Sequence, residues 1–155
     1  MLIHRITPIL NVSDIGQSFA WFEELGWRRG FSWNDAGFIG SGEHALAADA
    51  NGPALFASVC SGVTEIFLCC GGQGSRGTIG PRFPGDDQTD GVWMTWWMGS
   101  PTEVDELHAR VVQAAMIVTH PPTDEPWGIR EFHLRHPDGH MFRVSSEARS
   151  ADNAV

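Results

Sequence analysis

Glu125-Pro126-Trp127-Gly128-Ile129-Arg130-Glu131-Phe132-His133-Leu134-Arg135-His136-Pro137-Asp138-Gly139-His140 is the stretch from which the fold is read. Pro137-Asp138-Gly139 is turn chemistry, because Pro presets φ, Asp bonds its own backbone and Gly accepts φ > 0. Runs rich in apolar residues flank it at 129–135 and 141–145, so the segment reads as a β-hairpin. His133, His136 and His140 fall around this turn, where solvent exposure is expected in preference to metal ligation. Upstream, Pro126 restricts the backbone before Trp127 and Gly128 lets it turn afterwards. Residues 121–128 are therefore expected to form a loop that presents an indole.

Working outward from the hairpin, residues 116–120 read as a strand. Before them, Ser100-Pro101-Thr102-Glu103 is a helix start, with Ser as N-cap, Pro at the first helical position and Glu three residues after the cap. Val104, Leu107, Val111 and Ala114 supply that helix's apolar stripe. Residues 91–98 form the strand in front of it. The second half of the chain thus runs strand, helix, three strands.

The first half repeats that order. Residues 3–12 read as a strand, with Pro8 placing it at a sheet edge. Ser13 or Asp14 caps a helix whose buried stripe is Ile15, Phe19, Phe22 and Leu25, and Gly26 ends it. Strands follow at 27–33, near 55–60 and at 64–70. Residues 34–53 read as loop with a short strand near Phe38. Residues 71–91 are rich in Gly, Pro and Asp and read as a mobile connector. One helix and one small sheet cannot bury a core alone, so a duplicated unit is the simplest account. The expected fold is α+β: two βαβββ modules, 1–88 and 89–155, forming a curved mixed sheet around a cleft.

The 155 residues include 19 acidic and 10 basic side chains, for a formal charge of −9. All of the basic residues are Arg. Such a chain repels phosphate, so neither nucleic acid nor an anionic membrane is an expected partner. It attracts cations. Seven Trp with no Tyr supply either core or stacking surface. Cys60, Cys69 and Cys70 show no CxxC spacing and read as reduced thiols of a cytoplasmic protein. The first residues carry no apolar signal segment, and no apolar run reaches the roughly 18 residues of a membrane span. The run 71–77 lacks the Gly-Lys-Ser/Thr ending of a phosphate loop, and neither HExxH nor GxSxG occurs.

The stretch 125–140 resembles the PWG-x-REF-x-LR-x-P-x-G signature of bleomycin-resistance proteins. Pro8-Ile9-Leu10-Asn11-Val12-Ser13-Asp14, with Phe19 and Trp21-Phe22, resembles that family's first strand and helix. On these residues the chain is identified as a member of the glyoxalase/bleomycin-resistance/extradiol dioxygenase (vicinal oxygen chelate) superfamily, closest to its resistance-type binding proteins. Both ends match well and residues 92–111 moderately, whereas 34–62 and the connector match poorly.

Metal-using relatives take one ligand from each of four strands. The resemblance puts those positions on Thr7, Glu65, Trp93 and Arg143. Only Glu65 can ligate a divalent metal, because indole and guanidinium are not donors. A slip of one residue would move each position to the other sheet face. Neither metal nor any other cofactor is therefore expected, and no residue is assigned a catalytic role. Strand parity adds Phe67 beside Glu65, Trp97 beside Trp93 and Met141 beside Arg143. Thr95 shares the face of Trp93 and Trp97, while Met94, Trp96 and Met98 are expected to face the helix. Trp33, Phe38 and Trp127 complete the candidate ligand contacts. Two alternatives stay open: that Trp93, Trp97 and Trp127 are core packing, and that Arg143 pairs with Glu65. The expected function is sequestration, without catalysis, of an antibiotic or other natural product that is aromatic and cationic, by a homodimer. The alternatives are a metal-dependent glyoxalase-like lyase, isomerase or dioxygenase, and a metal-free member that uses Glu65 as a general base.

Overall fold

The computed structural model of the chain describes residues 1–77, 83 and 85–148. The chain divides into two compact units, Met1–Arg76 and Gly77–Val155.

In the first unit, β1 (Ile9–Asn11) leads into α1 (Ile15–Glu24), followed by β2 (Arg28–Asn34), β3 (Gly37–Ser41), the short pair β4 (Ala48–Asp49) and β5 (Gly52–Pro53), β6 (Phe56–Ser61) and β7 (Thr64–Cys69). Asp14 caps α1 by accepting from the Gln17 amide at 2.7 Å, which satisfies an otherwise orphaned donor of the first turn. The main sheet runs β1-β7-β6-β2-β3, with β1 parallel to β7 at the edge. Pro8 lies just before that edge strand, where its missing N–H breaks no ladder. The strand expected over 3–12 is shorter than its apolar pattern: only 9–11 pair, and Leu2, Ile3 and Ile6 are exposed. The short strand expected near Phe38 is β3, which pairs antiparallel with β2. The rest of 34–53, expected as loop, also carries the two-residue strands β4 and β5, too short to give an alternating apolar signal. Phe19, Phe22, Ile66, Leu68 and Val59 close the core between α1 and the sheet. That leaves Glu65 and Phe67 on the opposite face of β7.

The second unit has the expected order: β8 (Trp93–Trp97), α2 (Pro101–Gln113), β9 (Ile117–Glu125), β10 (Ile129–Arg135) and β11 (Met141–Glu147), in the sheet β8-β11-β10-β9. Ser100 caps α2 by accepting from the Glu103 amide at 3.2 Å, and Pro101 sits in its first turn. The mixed α+β architecture read from the sequence is thus present. β9 continues through Pro121 and Pro122 to Glu125, which corrects the loop expected at 121–128; only the tight turn around Trp127 remains. β9 is an edge strand, and its register against β10 shifts between the pairs Glu131–Thr123 and His133–His120, so Pro121 and Pro122 fall in an irregularity of the ladder where a missing N–H is tolerated. Val104, Val111, Phe132, Leu134, Phe142 and Val144 form the core under α2. Trp96 belongs to this side as expected, stacked on Phe142 at 4.4 Å.

The connector expected over 71–91 lies partly outside the described residues, at 78–82 and 84. Its last part is docked and not free. Asp86 is buried, the carbonyls of Asp86 and Gln88 accept from Arg135, and Thr89 bonds the Gly139 carbonyl. The C-terminal residues 149–155 also lie outside the described residues.

Candidate functional site

The histidines at the hairpin turn are not solvated. His136 and His140 are 1% and 0% exposed. Each uses Nδ1 as an acceptor, from the Asp138 amide at 3.0 Å and the Val92 amide at 3.1 Å respectively. Burial disfavours the charged imidazole of His136 and His140 adds to this, while Asp138 opposes it; the pKa is pushed down to about 3. These residues hold the turn and are closed to ligand.

On the second unit's sheet, the face away from α2 carries Trp93, Thr95 and Trp97 from β8, Met141, Arg143 and Ser145 from β11, and Glu131 and His133 from β10. Their alignment follows from the ladder: Met141 pairs with Trp93, Arg143 with Thr95 and Ser145 with Trp97, while His133 pairs with Arg143 and Glu131 with Ser145. Glu131 is 2% exposed. It accepts from Arg143 Nη2 at 2.6 Å and from Ser145 at 3.2 Å, and its other oxygen lies 3.5 Å from His133 Nε2. Burial alone would raise the Glu131 pKa, but the hydrogen bond and charge of Arg143, helped by His133 and Ser145, outweigh it and hold the carboxyl below the usual carboxylate range. His133 Nδ1 lies 2.8 Å from Asp87, and its ring is 4.7 Å from that of His120, which in turn contacts Glu125 at 2.8 Å. Trp93 sits edge-on to His133 at 5.5 Å. Glu131 and His133 were missed in the sequence, although hairpin parity through the turn at 137–139 would have put both on the face of Arg143.

The candidates separate as follows. Trp93, Trp97 and Trp127 are 41%, 65% and 61% exposed, which removes the reading of these indoles as core. Met141 is fully buried, with Arg135 Nη1 3.8 Å from its sulfur. It therefore offers no surface, although its parity matches that of Arg143. In the first unit, Trp33 and Phe38 face each other across β2 and β3 with ring centroids 5.4 Å apart, both exposed. Phe67 belongs to a cluster with Phe31 and Phe56, at 5.5 and 5.3 Å. Thr7 is half-buried and accepts from Arg5 Nε at 3.2 Å. Glu65 pairs with Arg5, and Cys60 lies 3.9 Å from it. Glu65 and Arg143 thus each have a charge partner within their own unit. A hollow of about 920 Å³ between Trp27, Arg28, Ser41 and Cys60 contains none of the sequence-derived candidates.

The donor set does not fit a divalent metal. Of Thr7, Glu65, Trp93 and Arg143, only Glu65 is a carboxylate, and Arg5 holds it. Among the described residues, no three His, Cys, Asp or Glu side chains are placed to share an ion.

The family model of the Glyoxalase/Bleomycin resistance protein/Dioxygenase superfamily matches residues 2–144, and the chain belongs to that superfamily. No curated protein matches its sequence. Similar solved structures include lactoylglutathione lyase from Agrobacterium tumefaciens, at 16% identity and TM-score 0.62, covering 93% of this chain and 94% of that one. TioX from Micromonospora sp. ML1 aligns at 18% identity and TM-score 0.61, covering 92% and 99%. A bleomycin-binding protein complexed with bleomycin aligns at 16% identity and TM-score 0.58, covering 94% and 99%. At these identities the likeness is one of fold.

Proposed function

We propose that this chain binds a planar aromatic small molecule stoichiometrically and holds it unchanged, as an antibiotic-sequestering protein. The observation that carries this reading is the exposure of three indoles, Trp93, Trp97 and Trp127, in the second unit. Large aromatic side chains normally bury most of their area, and exposed ones mark recognition surfaces. The crystallised bleomycin-binding relative supports a ligand of the glycopeptide class, in which flat rings are joined to a cationic tail. The net charge of −9 supports the cationic part and disfavours nucleic acid. The poor donor set for a metal supports binding over metal-assisted lyase or dioxygenase chemistry. Among the described residues no helix is long and apolar enough to cross a membrane. The three free thiols support a cytoplasmic setting.

The working unit is proposed to be a homodimer. Leu2, Ile3, Ile6 and Ile9 expose apolar surface along the N-terminal segment, which a second copy would cover. Light scattering is expected to give a dimer, and a monomer mass of 17.0 kDa at micromolar concentration would overturn that assignment.

The binding reading is tested with Trp97→Ala and Trp127→Ala. Both side chains are mostly exposed, so each variant is expected to melt within about 0.5 kcal/mol of the parent. Fluorescence titration with a bleomycin-type glycopeptide is expected to show about tenfold weaker binding for each, from about 1.4 kcal/mol of lost stacking. Unchanged affinity in both variants would remove these indoles from the site.

A further inference from the structure

The polar group at the centre of the indole face is a hydrogen-bond donor and not a carboxylate. Arg143 stands beside Thr95 in the parallel ladder, midway along the face between Trp93 and Trp97. Trp93 and Trp97 are four residues apart in one strand, so their attachment points lie about 13 Å from each other. Between them the strand presents the small side chain of Thr95, which is exposed. A two-ring heterocycle laid over Thr95 would stand beside both indoles and the guanidinium.

Arg143 is oriented for such a ligand. A guanidinium has five N–H donors in a fixed plane. Here Nη2 is spent on Glu131 at 2.6 Å, which fixes the plane; Nε is buried, and Nη1 donates to no described residue. The side chain is 37% exposed. Its charge, however, is already met by the buried carboxylate of Glu131, and Asp87 adds a second negative charge behind His133. A free anion arriving here would approach both carboxylates, and a cation would face the guanidinium. A neutral oxygen acceptor meets neither repulsion and can accept from Nη1.

We propose that the face between Trp93 and Trp97 recognises an uncharged carbonyl on a flat conjugated ring, of the quinolone, lactam or quinone type, through Arg143. This rests on the binding reading above and adds the chemistry of the ring; any cationic tail would lie away from Arg143.

Four small probes sharing one ring system separate the possibilities: quinolin-4-one, quinoline, N-methylquinolinium and quinoline-4-carboxylate. In isothermal titration calorimetry the parent protein is expected to bind quinolin-4-one about tenfold more tightly than the other three, as suits a hydrogen bond to a charged donor. The double variant Arg143→Met with Glu131→Gln removes both charges together, so that neither is left buried and alone. With its fold checked by circular dichroism, it is expected to bind the quinolone no better than quinoline. Equal binding of all four probes by the parent, tighter binding of the cation or the carboxylate, or a quinolone preference that survives in the double variant would each overturn this proposal alone. Failure of all four to bind would overturn the binding reading with it.

Discussion

Replacing Arg143 alone with Met is expected to destabilise the protein by about 2–3 kcal/mol, and adding Glu131→Gln is expected to recover most of that loss. The Glu131 carboxylate is almost fully buried and takes its strongest hydrogen bond from Arg143. Removing the guanidinium strands a charge, and breaking a fully buried pair from one side costs about 3–5 kcal/mol. Water reaches the exposed part of Arg143 and screens the pair, which places the expected value at or below the low end of that range. Neutral Gln needs no counter-charge and can still accept from Ser145. Chemical denaturation of the parent, the single and the double variants measures this. A single variant as stable as the parent would show that Glu131 does not depend on Arg143.

The second large effect is on acid stability. In the folded chain His136 has a pKa of about 3, against an ordinary value of 6.5. Below pH 6.5 the unfolded chain takes up a proton that the folded chain refuses. The stability that His136 permits is therefore complete above pH 6.5 and falls with pH, by about 1.4 kcal/mol per unit, down to the folded pKa. Glu131 acts in the same direction at lower pH. Its pKa is depressed, so the stability it contributes is present above its ordinary value of 4.5 and is lost on further acidification. Stability at pH 5 is expected to lie about 2 kcal/mol below that at pH 6.5 through His136 alone. His136→Asn keeps an acceptor for the Asp138 amide but cannot titrate, so it should flatten the decline between pH 6.5 and 5. An equally steep decline in that variant would assign the acid sensitivity elsewhere.

What was legible in the sequence follows from where its signals are strong. The cap at Ser100-Pro101, the stripe of α2 and the turn at 137–139 agree with one another, and the second unit has the element order they predict. In the first unit Phe38 marked β3, but Gly37-Phe38-Ile39-Gly40-Ser41 has too few apolar residues to show the strand's length. The end of β9 was hidden because two prolines read as a loop, which they are not when the strand is at an edge. At the candidate site, parity placed Trp93, Thr95, Trp97 and Arg143 on one face correctly. It could not show that Met141 lies under Arg135, since burial depends on neighbours from other segments. The three histidines near the turn looked alike in sequence. Two are buried as turn supports and one joins the Glu131 network, a division set by packing alone.

The central claim, capture without conversion, is tested most directly by the fate of the ligand. Native mass spectrometry after prolonged incubation with a bleomycin-type glycopeptide is predicted to show one intact ligand bound per chain, and denaturation is predicted to release it with its mass unchanged. A ligand recovered with altered mass, or no complex with a ligand of this class at all, would contradict it.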